Sequence, residues 1–175
     1  TAVSGSRFEA SYAKAVEDFG GNLKYDACAL QYLKYFPLSK RSAFVNRTIG
    51  AQSRGRDRRT FDFGGLGGVR GFSGSSAENE KSGVLINNAE LRVPLAGNMN
   101  YYMWYMFPDF YFKALYAKVF MDSAYGWDRA SRFGRVKTDE IRNSAGVGLN
   151  LHAFILQAFH LVLSFDYAKR TTDGG

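Results

Sequence analysis

One property of this chain limits its possible folds more than any other: apolar and polar residues alternate with period two over long segments. From Leu85 to Leu95 the apolar side chains mostly occupy odd positions, while Asn88, Glu90 and Arg92 fall on the opposite side. Period-two alternation is typical of a β-strand with one apolar and one polar face. The same pattern recurs in three later segments, 111–122, 144–152 and 159–170.

Three earlier segments alternate less cleanly, at residues 7–16, 24–36 and 43–52, so the sequence predicts about seven strands. Composition favours strands and turns over helices, because aromatic residues make up 16% of the chain and 19 glycines stand against three prolines. The sequence contains no stretch of about 20 apolar residues that would cross a bilayer as a helix. The predicted fold class is therefore all-β.

Strand length and aromatic placement favour a membrane sheet over a soluble sandwich. The predicted strands run for roughly 9 to 14 residues, longer than the usual strand of about 5 to 6 and suited to a tilted bilayer crossing. Aromatic residues gather near strand ends, as at 32–36 and 101–107, which is typical of the interfacial girdles of membrane barrels. A soluble β protein with an aromatic core is the alternative that this pattern leaves open.

Charge, cysteine and histidine placement give no sign of covalent chemistry. The net charge is +7, and its sign alone does not choose between nucleic acid, anionic lipid and simple solubility. Cys28 is the only cysteine, which excludes an intrachain disulfide and a thiolate zinc site. His152 and His160 fall on polar strand faces without a serine elbow or a metal-binding motif. We therefore expect no enzyme activity in these residues, no metal and no cofactor.

The most unusual short stretch is the glycine run GGLGGVRGF at residues 64–72. It lacks the lysine and hydroxyl of a Walker loop, and Arg70 stands where the dinucleotide-binding pattern needs its last glycine. A solvated arginine in a hairpin loop is the simplest interpretation. The following strands, however, would place Glu90 and Asp122 on their polar face, where a carboxylate removed from water needs a partner. A loop arginine that folds onto that face would supply one.

Four stretches that occur in order resemble the carboxy-terminal half of the Omp85 superfamily of outer-membrane barrels: FDFGGLGGVRGF, NNAELRVPL, VFMDSAYGW and SAGVGLNL. The resemblance implies a transmembrane antiparallel β-barrel with a long extracellular loop that folds back into the lumen. The tip of that loop would be formed by Val69, Arg70, Gly71 and Phe72. The resemblance also implies that Arg70 pairs with Asp122, with Glu90 as a second candidate partner.

The same resemblance gives roles to the residues around the arginine. Gly68 and Gly71 would let the loop backbone turn sharply and approach the barrel wall, and Phe72 would pack beside it. Two-point binding of a carboxylate favours arginine over lysine at position 70. The chain departs from the family pattern at Ala124, where glycine is usual. That difference concerns how closely the backbone is approached at this point.

By this resemblance, residues 1–175 form the last part of a sixteen-stranded barrel whose earlier strands, closing strand and periplasmic POTRA or passenger domains lie outside the sequence. The implied location is the bacterial outer membrane, and the implied function is to insert polypeptides into that membrane or move them across it. The implied partners are polypeptide substrates, outer-membrane lipids and accessory periplasmic or lipoprotein subunits. Two alternatives stay open: a barrel that anchors an upstream passenger such as a patatin-like lipase, and a passive porin-like barrel or soluble lipid-binding protein.

Two basic clusters fall in predicted loops on the same side as the glycine run. One precedes the run and the other lies in the connection 126–142; they contain Arg56, Arg58 and Arg59, and Arg132 and Arg135. Arginine binds phosphate groups well, so these loops predict lipopolysaccharide as a partner, with solvated loop charge as the simpler interpretation. Nucleic acid is not expected, because the neighbouring aromatic residues form no stacking platform with the basic ones.

Overall fold

The computed structural model describes residues 3–16, 22–65, 67–74, 80–97, 99, 101–103, 110–128, 141–156 and 158–172. Within these ranges the chain forms strands, turns and bends. No helix in the described residues is long and apolar enough to span a membrane.

Seven long strands dominate the described part of the fold, which confirms the all-β prediction. They are β1 (Gly5–Ala15), β2 (Tyr25–Pro37), β3 (Ala43–Gly55), β6 (Gly83–Ala96), β8 (Phe110–Trp127), β9 (Ile141–Ile155) and β10 (Phe159–Arg170). Three short strands were not predicted: β4 (Phe61–Asp62), β5 (Glu80–Lys81) and β7 (Tyr101–Met103). The strands β4 and β5 pair with each other in the connection between β3 and β6.

The long strands form one antiparallel sheet in the order β1-β2-β3-β6-β8-β9-β10, and β7 pairs with β8 as an eighth strand. Each long strand therefore lies beside its nearest long neighbour in sequence. The sheet is open in the described part of the chain, because β1 pairs only with β2 and β10 pairs only with β9. Such an arrangement is compatible with a barrel-like sheet that is not closed.

The two faces of the sheet are inverted relative to a soluble protein. The face that is predicted to be polar is the buried one, where Asp122 is 0% exposed and Lys118 is 5% exposed. On the opposite face large apolar side chains are open, with Val119 56%, Phe165 64% and Tyr167 72% exposed. We call these the polar face and the apolar face. The alternation predicted from sequence is thus correct, and the polar residues are the buried ones.

The two ends of the sheet differ in their connections. The connections from β3 to β6 and from β8 to β9 leave at one end, the long-loop end. The turns from β2 to β3 and from β9 to β10 close at the other, the short-turn end. The second of these turns contains Leu156 at a φ of 49° and closes with a hydrogen bond from the Ala158 N–H to the Ile155 carbonyl of 3.2 Å. Antiparallel pairing therefore puts the glycine run at the same end as connection 128–140.

The connection between β3 and β6 supplies three of the seven residues of a buried hydrophobic cluster. Three of its side chains are almost completely buried: Phe63, Val69 and Phe72. They pack against four residues of the polar face near the long-loop end: Ala51, Val84, Ile86 and Ala124. The glycine-run loop therefore lies on the polar face of the sheet and covers it.

Candidate functional site

A short hydrogen-bonded turn presents Arg70 to the sheet. The N–H of Val69 donates to the carbonyl of Phe63 at 2.8 Å, and the N–H of Gly65 donates to the carbonyl of Phe72 at 2.9 Å. Gly65 and Gly71 have φ values of 77° and 90°, in the left-handed region that glycine adopts without strain. These bonds close the loop on itself, so that Val69 and Arg70 lie at its tip.

The two glycines on either side of Val69 and Arg70 act at different places. A Cβ at Gly71 would lie 3.4 Å from the Cβ of Ala168 in β10, so this residue does approach the wall closely. A Cβ at Gly68 would instead collide with the carbonyl oxygen of Phe63, within the loop. Gly68 therefore allows the sharp turn within the loop, and Gly71 is the glycine that lies close to the sheet.

The Arg70 side chain and backbone both bind Asp122. Nε donates to Oδ2 at 2.8 Å and Nη2 donates to Oδ1 at 2.9 Å, which is the two-point geometry that arginine provides for a carboxylate. The backbone N–H of Arg70 adds a third bond to Oδ2 at 3.1 Å. Asp122 is 0% exposed and lies on β8. The structure thus brings the loop arginine onto the carboxylate predicted from the motif.

The remaining guanidinium nitrogen, Nη1, joins two further carboxylates. It donates to Oε2 of Glu90 at 3.1 Å and to Oδ2 of Asp166 at 3.2 Å. The flat face of the guanidinium lies over the ring of Phe120, with Cζ 3.4 Å from the ring centroid. Arg70 therefore ties the loop to three strands, β6, β8 and β10, by charge and by cation–π contact.

Burial and charge act in opposite directions on this guanidinium. Burial alone would lower the pKa of Arg70, but the hydrogen bonds and negative charge of Asp122, helped by Asp166 and Glu90, raise it above its ordinary value. The side chain is 10% exposed. Arg70 therefore remains a cation, and solvent screens its ion pairs weakly.

A second pair of side chains supports the loop from the β3 side. Asn88 donates through Nδ2 to Oδ1 of Asp122 at 2.9 Å and to the carbonyl of Gly68 at 2.8 Å. Arg47 donates to Oδ1 of Asn88 at 2.8 Å and to the carbonyl of Gly67 at 2.7 Å, both through Nη2. The Asn88 amide therefore binds the loop backbone and the wall carboxylate together, and Arg47 fixes its orientation.

Two glycines of β9 leave room for the side chains under the arginine. A Cβ at Gly146 would lie 2.5 Å from Cζ of Phe120 and would collide with the carbonyl oxygen of Tyr167. A Cβ at Gly148 would lie 2.6 Å from Cε of Lys118 and would collide with Oδ1 of Asp166. The glycines of SAGVGLNL thus form a shallow trough into which Phe120 and Lys118 extend.

At the edge of the sheet, Arg170 holds the far side of the loop. Its Nε donates to the carbonyl of Gly71 at 2.8 Å, and its guanidinium lies 4.7 Å from the ring centroid of Phe72. Ala124, where the resemblance described above implies glycine, is 2% exposed and packs in the cluster with Val69 and Phe72. Its methyl group therefore fits beneath the loop.

The structure describes only some residues of the two predicted basic clusters. Arg56 and Arg58 are exposed at the long-loop end, and Arg56 pairs with Asp57 at 3.2 Å. The guanidinium carbon of Arg59 lies 6.0 Å from the ring centroid of Tyr25. Arg132 and Arg135 lie outside the described residues.

Sequence reasoning missed part of the site. Asp166, Asn88, Arg47 and Phe120 were not predicted as partners of the loop. For Asp166 and Asn88 a signal existed, because both fall on the polar side of an alternating strand. In the described residues no group of three or more His, Cys, Asp or Glu side chains is arranged to hold a metal ion.

Comparisons with known proteins add no family assignment. No protein-family model matches this chain. No curated protein sequence matches it significantly either. The function is therefore argued from the residues and their geometry.

Proposed function

We propose that this chain is part of an outer-membrane β-barrel of the Omp85 type, which inserts polypeptides into the bacterial outer membrane or moves them across it. The observation that carries the proposal is the loop arginine bound to a buried acidic wall. Arg70 lies on the polar face of the sheet and binds Asp122 at two points. This is the contact that the motif resemblance implies.

The inverted faces support a membrane location. Val119, Met121 and Phe165 are each more than half exposed on the apolar face. Soluble monomers rarely expose contiguous apolar patches larger than a few hundred Å², whereas the outside of a membrane barrel is an apolar band around a polar interior. In this proposal lipid covers the apolar face, and the polar face lines the lumen.

The loop contacts support a role in gating rather than in covalent chemistry. Hydrogen bonds and ion pairs hold the loop tip, so it can leave and return without a bond being broken. A docked loop fills the lumen at the level of Glu90, Asp122 and Asp166. Undocking would expose a polar interior to an incoming polypeptide, which would enter at a weak seam between the first and last strands of the closed barrel. The exposed arginines of the long-loop end would face lipopolysaccharide phosphates.

The experiment is reconstitution of the full-length protein in lipid vesicles, with an unfolded outer-membrane polypeptide as substrate. Insertion is read as the heat-modifiable fraction on gels, and translocation is read as protection from added protease. In this proposal each cycle needs the loop to return to its docked state, so we expect Arg70→Ala and Asp122→Ala, which each lose the two-point contact, to lower the rate about tenfold or more. The double variant should be no slower than either single one, since both remove the same interaction.

A matched control removes an equal charge from the opposite face. Lys169 is exposed on β10, so Lys169→Ala should leave the rate unchanged. Equal rates in the wild type and in all three site variants, in barrels that are fully folded, would exclude loop-dependent transport. Such a result would favour the passenger-anchor alternative or a passive barrel.

A further inference from the structure

A cluster of basic side chains lies on the polar face at the short-turn end, away from the loop. It surrounds a cavity of about 380 Å³. The cavity is lined by four basic or titratable side chains and two aromatic ones: Arg41, Lys113, His152 and His160, with Tyr116 and Phe154. Tyr116 and Asp122 lie six residues apart on β8, about 20 Å along a strand, so this cavity is separate from the Arg70 site.

The four side chains converge from different parts of the chain. Arg41 extends from the turn between β2 and β3 across Gly97, where a Cβ would collide with its Nη1 atom. Lys113 lies over Phe154, with Nζ 5.5 Å from the ring centroid. His152 and His160 stack with ring centroids 5.4 Å apart and approach at 3.2 Å between Nδ1 and Nε2. Glycine at position 97 therefore lets a turn arginine complete the cluster.

Among the described residues, none balances the charge in this cavity. No carboxylate of the described ranges belongs to its lining. Within the described ranges neither Arg41 nor Lys113 forms an ion pair, in contrast to Lys118 and Arg92, which each hold a carboxylate oxygen. Gathering cations without a counter-charge is unfavourable, and a bound anion offsets that cost.

Aromatic side chains line the rest of the cavity. Tyr116 is 8% exposed and meets His152 edge-on, with centroids 5.3 Å apart. Phe154 lies 5.2 Å from His160. Binding pockets for small molecules typically measure about 300–1,000 Å³ and combine apolar walls with a few polar groups. The cavity thus has room for an oxyanion and for a flat apolar body attached to it.

We propose that this cavity is a binding site for a small organic anion that carries a phosphate or carboxylate group. Arg41 and Lys113 bind the oxyanion, the histidine pair donates its remaining N–H to it, and Phe154 and Tyr116 contact the apolar part. The site is formed by its own side chains and does not require polypeptide transport.

The test is isothermal titration of the full-length protein in detergent micelles with phenyl phosphate at neutral pH. Inorganic phosphate and phenol serve as partial ligands. We expect saturable binding of phenyl phosphate, weaker binding of phosphate and none of phenol. Dihexanoyl phosphatidylglycerol carries a phosphodiester on a lipid, so tighter binding of this probe would identify the oxyanion as a headgroup. Tighter binding of phenyl phosphate would identify a soluble ligand, and either result supports the site.

Two substitutions and a neighbouring control locate the binding. Arg41→Gln and Lys113→Gln change exposed side chains and should each weaken phenyl phosphate binding about tenfold, as expected for the loss of one charge-assisted contact. Lys40 is exposed in the same turn as Arg41 but does not line the cavity, so Lys40→Gln should bind as the wild type does. Absence of saturable binding in the wild type would overturn the proposal. Equal weakening by Lys40→Gln and Arg41→Gln would also overturn it, because binding would then depend on net charge alone.

Discussion

Replacing Arg70 by lysine separates the geometry of the guanidinium from its charge. The native side chain donates four hydrogen bonds to three carboxylates and lies flat on Phe120. A lysine ammonium keeps the positive charge, but it cannot make two parallel bonds to Asp122 while it also reaches Glu90 and Asp166. It also has no flat face for the ring. Arg70→Lys therefore removes at least one charge-assisted hydrogen bond and the stacking contact.

The expected cost follows from these losses. A hydrogen bond to a charged group contributes about 1.5–3 kcal/mol, and a cation–π contact contributes about 0.5–2 kcal/mol. Because lysine retains part of the attraction to the acidic wall, we expect loop docking to weaken by about 2–3 kcal/mol. Each 1.4 kcal/mol is a factor of ten, so the population of the undocked loop should rise about 30- to 150-fold.

Hydrogen exchange measured by mass spectrometry reports this population directly. The N–H of Arg70 bonds to Asp122 on the sheet at 3.1 Å, so this amide exchanges when the loop leaves the sheet. Peptides that contain residues 67–74 should exchange faster in Arg70→Lys by the stated factor, while peptides from β9 keep the wild-type rate. Exchange at the wild-type rate throughout would refute the reasoning, because charge alone would then hold the loop.

Three further substitutions test the surroundings of the arginine by the loss of stability in chemical unfolding. Gly146→Ala should cost about 2–4 kcal/mol, because its Cβ would meet a backbone carbonyl as well as Phe120, whereas Gly50→Ala has only an ordinary 4.0 Å contact and should change stability by less than about 1 kcal/mol. Asn88→Ala should cost about 2–3 kcal/mol, because the buried Asp122 and the Gly68 carbonyl each lose a donor. Ser144→Ala should be neutral or slightly stabilising, because its buried hydroxyl has no hydrogen-bond partner among the described residues. Equal costs for the two glycine variants, or for the asparagine and serine variants, would contradict these contacts.

The sheet could be predicted because the side chains on each face of a strand share one environment, either buried or exposed. Alternation from Leu85 to Leu95 identifies β6 in sequence, and the structure exposes Leu85, Leu91 and Leu95 while it buries Asn88 and Glu90. The end of β8 was not predicted. This strand continues to Trp127, and its burial no longer alternates beyond Asp122: Ala124 is buried beneath the loop, and Tyr125 and Trp127 are buried as well.

Only the part of the site that local sequence motifs indicate could be predicted. The motif indicates that a loop arginine meets acidic side chains of the following strands. The choice of Asp166 depends on strand register: Asp166 lies opposite Gly148, and Gly148 lies opposite Lys118. That alignment involves three strands and has no signal within any one of them. The need for glycine at position 146 could not be predicted for the same reason, because the space is occupied by the side chain of Phe120 on the neighbouring strand.

The three carboxylates under the loop differ in how far they depend on Arg70. Glu90 forms an ion pair with Arg92 at 2.5 Å, and Asp166 forms one with Lys118 at 2.6 Å. Each of these carboxylates therefore has a cation that belongs to the sheet itself. Asp122 has no cation of the wall within hydrogen-bonding distance among the described residues. Its oxygens are bound by Arg70 and by the neutral amide of Asn88. When the loop undocks, Asp122 is therefore the carboxylate of the three that loses its cation. Of the three, Asp122 favours the docked state most strongly.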